Sequence, residues 1–262
     1  MISLRRYLFF AGVLLVAVVG LGFLSVVGAT TNAVYASWPA VFDSAISGPT
    51  ILLILACVAI QAGVPMVTNM QARWPAHVRT RMDIRHWLLK ETVRPALLTA
   101  GVALAAVLVW GAYVFGWVTV NSSELVDPSG YGTPSAVRES LMTTYPLYAA
   151  AGQSLWVFLA ISAVWAGLHA ALMSVMATLT AVLIRSRVIA LILPAATVVG
   201  VSIVAEYANI PSASPVGMWV HPGGLMPVEM SHAVLPGVLM ALLCGALMAV
   251  IVRRAPRLQR FA

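Results

Sequence analysis

Charged residues are scarce in this sequence of 262 residues: 9% are Asp, Glu, Lys or Arg, whereas 61% are hydrophobic. Soluble domains carry about 25% charged residues, so the composition excludes an ordinary soluble protein. At roughly 20 apolar residues per membrane-spanning helix, the apolar content suffices for about five to seven spans. The composition therefore predicts an all-α integral membrane protein.

Lysine and cysteine are almost absent. The one lysine, Lys90, lies in the run Leu-Leu-Lys-Glu with no glycine-rich loop before it. A P-loop needs the pattern G-x-x-x-x-G-K-[ST], so the chain lacks this means of binding a nucleotide. The two cysteines, Cys57 and Cys244, lie inside apolar runs and are interpreted as core residues. We therefore expect no cofactor on this chain, and ATP-driven work would need another polypeptide.

Windows without charge predict six membrane-spanning helices in a single transmembrane domain covering residues 1–262. Their approximate bounds are residues 7–29, 49–69, 95–120, 152–180, 188–205 and 233–252. The first window could also be a secretory signal, because Arg5 and Arg6 precede it. Its apolar run is longer than the roughly 7–15 residues of a signal sequence. We therefore predict that it is the first span.

The basic residues are distributed unevenly between the predicted loops. Of 15 basic residues, 14 lie in the N-terminus and in segments 73–94, 185–187 and 253–262, and only Arg138 lies on the opposite side. The positive-inside rule then places both termini in the cytoplasm of a multi-pass protein in the cytoplasmic (inner) membrane. Because these basic residues border membrane spans and form no single solvated face, nucleic-acid binding is disfavoured.

The cytoplasmic segment 71–94 is longer and more basic than a lipid anchor requires. Val78, Ile84, Trp87 and Leu88 can share the apolar face of a helix, with basic groups opposite. Anionic lipid headgroups account for part of the charge. The surplus predicts a docking surface for a protein, with Trp87 as its aromatic anchor. The expected docking residues are Arg79, Arg81, Asp83, Arg85, Trp87 and Lys90.

The predicted outer segment 206–232 is too polar to span the membrane and too apolar for a free loop. Its prolines, glycines and apolar residues predict one or two short helices in the membrane interface, acting as a lid. The lid residues that we single out are Trp219, His221, Glu229 and His232.

Two polar residues of the predicted fourth span could line a translocation path, Ser154 and His169. An ionisable group inside the membrane indicates function by default. A neutral imidazole bonded to a neighbouring helix is the favoured interpretation of His169. No acidic residue lies deep in a predicted span, which disfavours an ion-coupled carrier. Ala166, Ala170 and Ser174, at four-residue spacing, predict close helix packing.

Two enzymatic hypotheses also stay open. Ser154 and His232 resemble the serine–histidine pair of rhomboid intramembrane proteases, but Leu155 stands where their G-x-S-G motif has its second glycine. His221, Glu229 and His232 could bind a metal, although the chain has no H-E-x-x-H motif. We favour neither, and expect no catalytic residue and no metal.

The chain resembles the membrane subunits of ABC-2-type exporters. The resemblance rests on the basic N-terminus, the run 79–90 before the third span, the run 145–148, Arg185-Ser186-Arg187 followed by Ile-Ala-Leu-Ile-Leu-Pro at 189–194, and a proline-rich outer hairpin. One difference is that many members of that family carry a glutamate just after the second span, where this chain has Thr68-Asn69-Met70-Gln71-Ala72.

The resemblance implies a non-catalytic permease subunit, which pairs with a second permease subunit as a homodimer or heterodimer. Separate cytoplasmic ATP-binding-cassette ATPase subunits would bind ATP and Mg and drive export. Their closure would pull on the docking loop and change access to a path between the permeases. The apolar spans favour an amphipathic substrate. An ion-coupled or uncoupled carrier and a structural membrane scaffold are two further functions compatible with the sequence.

Overall fold

The computed structural model describes residues 34–46, 49–71, 83–121, 125–184, 186–208, 210, 214 and 229–254, together with seven helical residues between 12 and 24. Within this part of the chain every element of regular secondary structure longer than a single bridge is a helix. One isolated bridge, between Tyr35 and Val126, is the only β-type pairing in it. The all-α fold predicted from composition is therefore confirmed.

Eight α-helices are numbered here in chain order. They are α1 Trp38–Ile46, α2 Pro49–Gln71, α3 Ile84–Ala112, α4 Pro134–Thr144, α5 Pro146–Ala150, α6 Leu155–Leu183, α7 Arg187–Tyr207 and α8 Met230–Arg254. Helix α3 continues without a break through a π-helical segment, Tyr113–Val118, to Asn121. A short 3-10 helix, Pro128–Tyr131, precedes α4.

Among the described residues, four helices are long and apolar enough to cross a membrane: Arg85–Val118, Leu155–Leu183, Arg187–Tyr207 and Ala233–Arg253. Their lengths of 21 to 34 residues meet the roughly 20 residues that a bilayer crossing requires. The protein is thus a multi-pass membrane protein. Helix α2 covers the predicted second span, whereas most of the predicted first span lies outside the described residues.

Helix α3 begins eleven residues before the predicted third span, at Ile84 and not at residue 95. The side chain of Asp83 caps it by accepting a hydrogen bond from the Arg85 backbone N–H, at 3.1 Å. The predicted span began after the last charge of the preceding segment, and the helix itself extends further towards the N-terminus than that span. Arg85 and Lys90 are exposed, so a helix can carry them at its end without burying their charge.

Helix α6 lies at the centre of the bundle and contacts α2, α3, α7 and α8. Small residues allow its close approach to α3, because a Cβ added at Gly167 would lie 3.1 Å from the Ala100 carbonyl oxygen. Ala166, Ala170 and Ser174 are all buried. Burial at these three positions agrees with the predicted packing.

The bundle has two ends of different chemistry. At one, Met66, Trp87, Leu179 and Ile251 belong to one buried cluster. We call it the basic end, because four basic residues lie on the helix termini that meet there: Arg85, Lys90, Arg187 and Arg253. At the other, the aromatic end, the rings of Phe42, Phe115, Phe158 and Tyr148 pack together.

Candidate functional site at the basic end

The Trp87 side chain is buried in the helix bundle. It is 3% exposed and belongs to a buried cluster with Met66 and Met70 of α2, Leu88, and Leu179 of α6. In this structure Trp87 therefore fills the space where three helices meet. This replaces the expected role of an aromatic anchor inserted into a partner, because the ring is not available to another protein.

The opposite face of the same turns is exposed. It carries the basic residues Arg85 and Lys90, together with His86, Leu89 and Val93. Leu89 and Val93 are 44% and 50% exposed, so the face combines positive charge with apolar surface. Such a mixed surface suits contact with a protein. We call these five residues the docking face. His86, Leu89 and Val93 were not among the predicted docking residues, although their helical spacing from Arg85 and Lys90 could have indicated them.

Two more of the predicted docking residues, Asp83 and Trp87, are described and have structural roles. Asp83 caps α3 through its contact with the Arg85 backbone. Arg79 and Arg81 lie outside the described residues. Of the four predicted docking residues that are described, the structure brings Arg85 and Lys90 together at the start of a membrane-spanning helix.

A polar pair that the sequence did not indicate lies just behind the docking face. The Asn69 amide nitrogen of α2 donates to the Glu91 carboxylate oxygen Oε2 of α3 at 3.5 Å. Both residues are buried, with exposed fractions of 5% and 7%. A buried carboxylate is costly unless hydrogen bonds stabilise it, so this pair helps to fix α2 against α3.

A second polar contact joins the helices that follow. The Thr180 hydroxyl oxygen of α6 lies 3.0 Å from the carbonyl oxygens of Ala177 and Ala190, and Ala190 belongs to α7. Ser186 caps α7 by accepting the Ile189 backbone N–H. The α6–α7 connection is therefore held by side chain to backbone contacts at the same end as the docking face.

His169 lies in the middle of α6 and is 2% exposed. Its Nδ1 atom is 2.9 Å from the Trp165 carbonyl oxygen. Because a carbonyl only accepts, Nδ1 carries the hydrogen and donates it. Nε2 faces Gly237 of α8, since a Cβ added there would lie 2.8 Å from it. This bond thus goes to its own helix, and the ring lies close against Gly237 of the neighbouring helix.

Ser154 has a capping role in the structure. Its hydroxyl oxygen accepts the Val157 backbone N–H at 3.5 Å at the start of α6. His169 follows 15 residues later, about 22 Å along the helix axis. The structure therefore does not bring together the two residues that were predicted to line a path.

Replacing Gly237 with alanine is expected to destabilise the protein by about 1–2 kcal/mol. The new methyl group would press on the His169 ring. This ring has little room to move, because its centroid lies 4.8 Å from that of the Trp165 ring. Gly245→Ala in the same helix is the matched control, because nothing lies within 4 Å of its added Cβ. Thermal unfolding in one detergent measures both. Equal melting temperatures for the two variants would contradict the packing described for His169.

The predicted lid is mostly outside the described residues, which include neither Trp219 nor His221. Glu229 is exposed and accepts a hydrogen bond from the Ser231 hydroxyl at 3.2 Å. His232 lies in the first turn of α8 and only its backbone is described. In the part of the chain that is described, no three His, Cys, Asp or Glu residues are grouped so that they could hold a metal.

Comparisons with family models, with curated proteins and with solved structures found no match for this chain. Its class therefore rests on its own composition and geometry. It is a multi-pass α-helical membrane protein with a basic and partly apolar face at one end of its bundle.

Proposed function

We propose that this chain is the permease subunit of an ATP-binding-cassette exporter of the ABC-2 type. In this proposal it has six spans, both termini lie in the cytoplasm, and the basic end faces the ATPase. ATP and Mg bind to that partner and not to this chain. A second permease subunit completes the path through the cytoplasmic membrane.

The observation that carries the proposal is the docking face on the first turns of α3. Arg85 and Lys90 provide charge that acidic groups of a partner can pair with, while Leu89 and Val93 provide apolar area. The inner side of the same turns is fixed by Trp87 and by the Asn69–Glu91 pair. A contact surface on a firmly packed helix can transmit a displacement instead of yielding locally.

The length of α3 supports a mechanical role. The continuous helix from Ile84 to Asn121 has 38 residues, or about 55 Å at 1.5 Å per residue. It packs along α6 and reaches the aromatic end through Phe115. A partner that binds the docking face differently with and without nucleotide would thus shift the balance between two arrangements of the whole bundle.

The double variant Arg85→Gln, Lys90→Gln is expected to weaken ATPase binding about 5- to 30-fold, since two charge pairs of roughly 0.5–1 kcal/mol each are lost. Both side chains are exposed, so the fold should be unaffected. The readout is the amount of ATPase that co-purifies with the chain. Arg138→Gln is the matched control, because Arg138 is exposed on α4, at the other end of the bundle.

A docking face that binds lipid headgroups alone gives a different result. In that case the double variant would retain as much ATPase as Arg138→Gln, and only its binding to anionic vesicles would fall. That outcome would refute the docking role of α3.

A further inference from the structure

The spanning part of α3 is longer than a bilayer is thick. It runs from Arg85 to Val118 and has 34 residues, or about 50 Å at 1.5 Å per residue. The hydrocarbon core of a bilayer is about 30 Å thick, and a tilt of about 40°, the upper end of the usual range, leaves a depth of about 38 Å. At least one end of this helix therefore leaves the hydrocarbon.

Exposed aromatic rings mark the aromatic end of the bundle. Among the described residues, every Trp or Tyr side chain that is more than half exposed lies at this end: Trp117, Tyr131, Trp156 and Tyr207. Three of them belong to spanning helices, with Trp117 in the π-helical segment after α3, Trp156 in the first turn of α6 and Tyr207 at the last residue of α7. Indole and phenol groups favour the membrane–water interface, because the ring is apolar and its N–H or O–H needs a polar partner.

Helix α7 shows how far apart the two boundaries of the membrane are. Its 21 residues from Arg187 to Tyr207 span about 30 Å, the thickness of the hydrocarbon core. Between Val188 and Ala205 all its exposed residues are apolar or glycine. An exposed basic residue at one end and an exposed tyrosine at the other are the groups that lie at membrane interfaces.

One exposed apolar stripe of α3 extends past the boundary at the basic end. Leu89, Val93 and Leu97 follow one another at four-residue spacing and are 44%, 50% and 68% exposed. Leu97 lies 20 residues before Trp117, or about 30 Å along the helix, whereas Leu89 lies 28 residues before it, or about 42 Å. A hydrocarbon layer that begins at Trp117 therefore reaches Leu97 and ends before Leu89, where the exposed Lys90 follows.

We propose that Trp117, Trp156 and Tyr207 form a belt that binds the headgroup region of a lipid bilayer, and that the hydrocarbon on the basic side ends between Leu97 and Leu89. The first two turns of α3 then project from the hydrocarbon, and the apolar surface at Leu89 faces headgroups and water instead of acyl chains. This placement does not depend on the proposed transport function, because it rests on helix lengths and on exposed rings and charges.

Thiol labelling tests the boundary at the basic end on the full-length chain in lipid nanodiscs without a partner protein. In a chain with Cys57 and Cys244 replaced by alanine, Leu89→Cys and Leu97→Cys are a matched pair, since each replaces an exposed leucine on one face of one helix. A maleimide reacts with the thiolate, which forms in water and is disfavoured in hydrocarbon. We expect a membrane-impermeant maleimide to label residue 89 faster than residue 97, by on the order of tenfold or more. Equal rates, both fast or both slow, would overturn the proposed boundary.

Depth-dependent fluorescence quenching tests the belt. The tryptophan emission that is lost in Trp156→Phe reports the position of the Trp156 ring. We expect lipids with bromine near the headgroup end of the acyl chain to quench this emission more than lipids with bromine near the terminal methyl group. Trp87→Phe is the control, because Trp87 is buried and its emission should be quenched little by either lipid. Stronger quenching of the Trp156 emission by the deep bromines, or no quenching by either, would overturn the belt.

The two tests separate the bilayer placement from the proposed function. A chain that binds no ATPase should still label faster at residue 89 than at residue 97. Conversely, equal labelling of the two residues in a chain that does bind an ATPase would refute the placement alone.

Discussion

Replacing Trp87 with alanine is expected to destabilise the protein by about 3–5 kcal/mol, the usual cost of removing a buried tryptophan side chain. The ring lies where α2, α3 and α6 meet, and Met66, Met70 and Leu179 share its buried cluster. The cavity would also loosen the first turns of α3, so ATPase binding should fall as a secondary effect. Unfolding free energy in a mild detergent is the measurement.

Trp156→Ala is the matched control for this experiment, because Trp156 is 58% exposed at the start of α6 and should lose little stability. Trp87→Phe should recover much of the loss by refilling most of the space. A Trp87→Ala protein as stable as Trp156→Ala, but unable to hold the ATPase, would restore the partner-anchor role that the sequence indicated.

Replacing Asn69 with alanine is expected to cost about 1–3 kcal/mol, because the buried Glu91 carboxylate loses a hydrogen-bond donor. Thr68→Ala is the control: Thr68 is the adjacent residue, is exposed, and bonds only within α2 to the Val64 carbonyl among its described contacts. Stability is again read from equilibrium unfolding.

A double-mutant cycle with Glu91→Gln separates the pair from its surroundings. If the Asn69–Glu91 contact matters, the cost of Asn69→Ala should become smaller once Glu91 is neutral. Additive costs, or an Asn69→Ala variant as stable as Thr68→Ala, would show that the contact does not fix α2 against α3.

The helical class could be predicted from the sequence because it depends on composition, that is, on the fraction of charged residues and the length of the apolar runs. A chain with 9% charged residues and long apolar windows can satisfy its backbone in a membrane only by helices or a closed barrel. Helix boundaries depend on local detail instead. Charges such as Arg85 and Lys90 end an apolar window and so set the predicted span at residue 95, whereas the Asp83 cap decides where the helix begins.

The candidate site could be predicted only in outline for a related reason. Periodicity correctly grouped Trp87 with Leu88, and both are buried. An apolar face that packs inside a chain has the same sequence pattern as one that binds a partner. Only the structure shows whether the face points into the bundle or outwards. For His169, similarly, the sequence indicated a buried imidazole but not that the Trp165 carbonyl of its own helix would accept its hydrogen bond.

Our central proposal is that this chain is a membrane subunit that works together with a separate ATPase subunit. The most direct measurement is affinity purification of the intact chain from its native membrane in a mild detergent, followed by identification of bound polypeptides and an ATP hydrolysis assay. The account predicts a partner that carries a P-loop and an ATP-binding-cassette signature, recovered in comparable amount, with hydrolysis that depends on this partner and is reduced in the preparation from Arg85→Gln, Lys90→Gln. A folded, membrane-inserted chain that is recovered with no such partner and no ATP hydrolysis would contradict it.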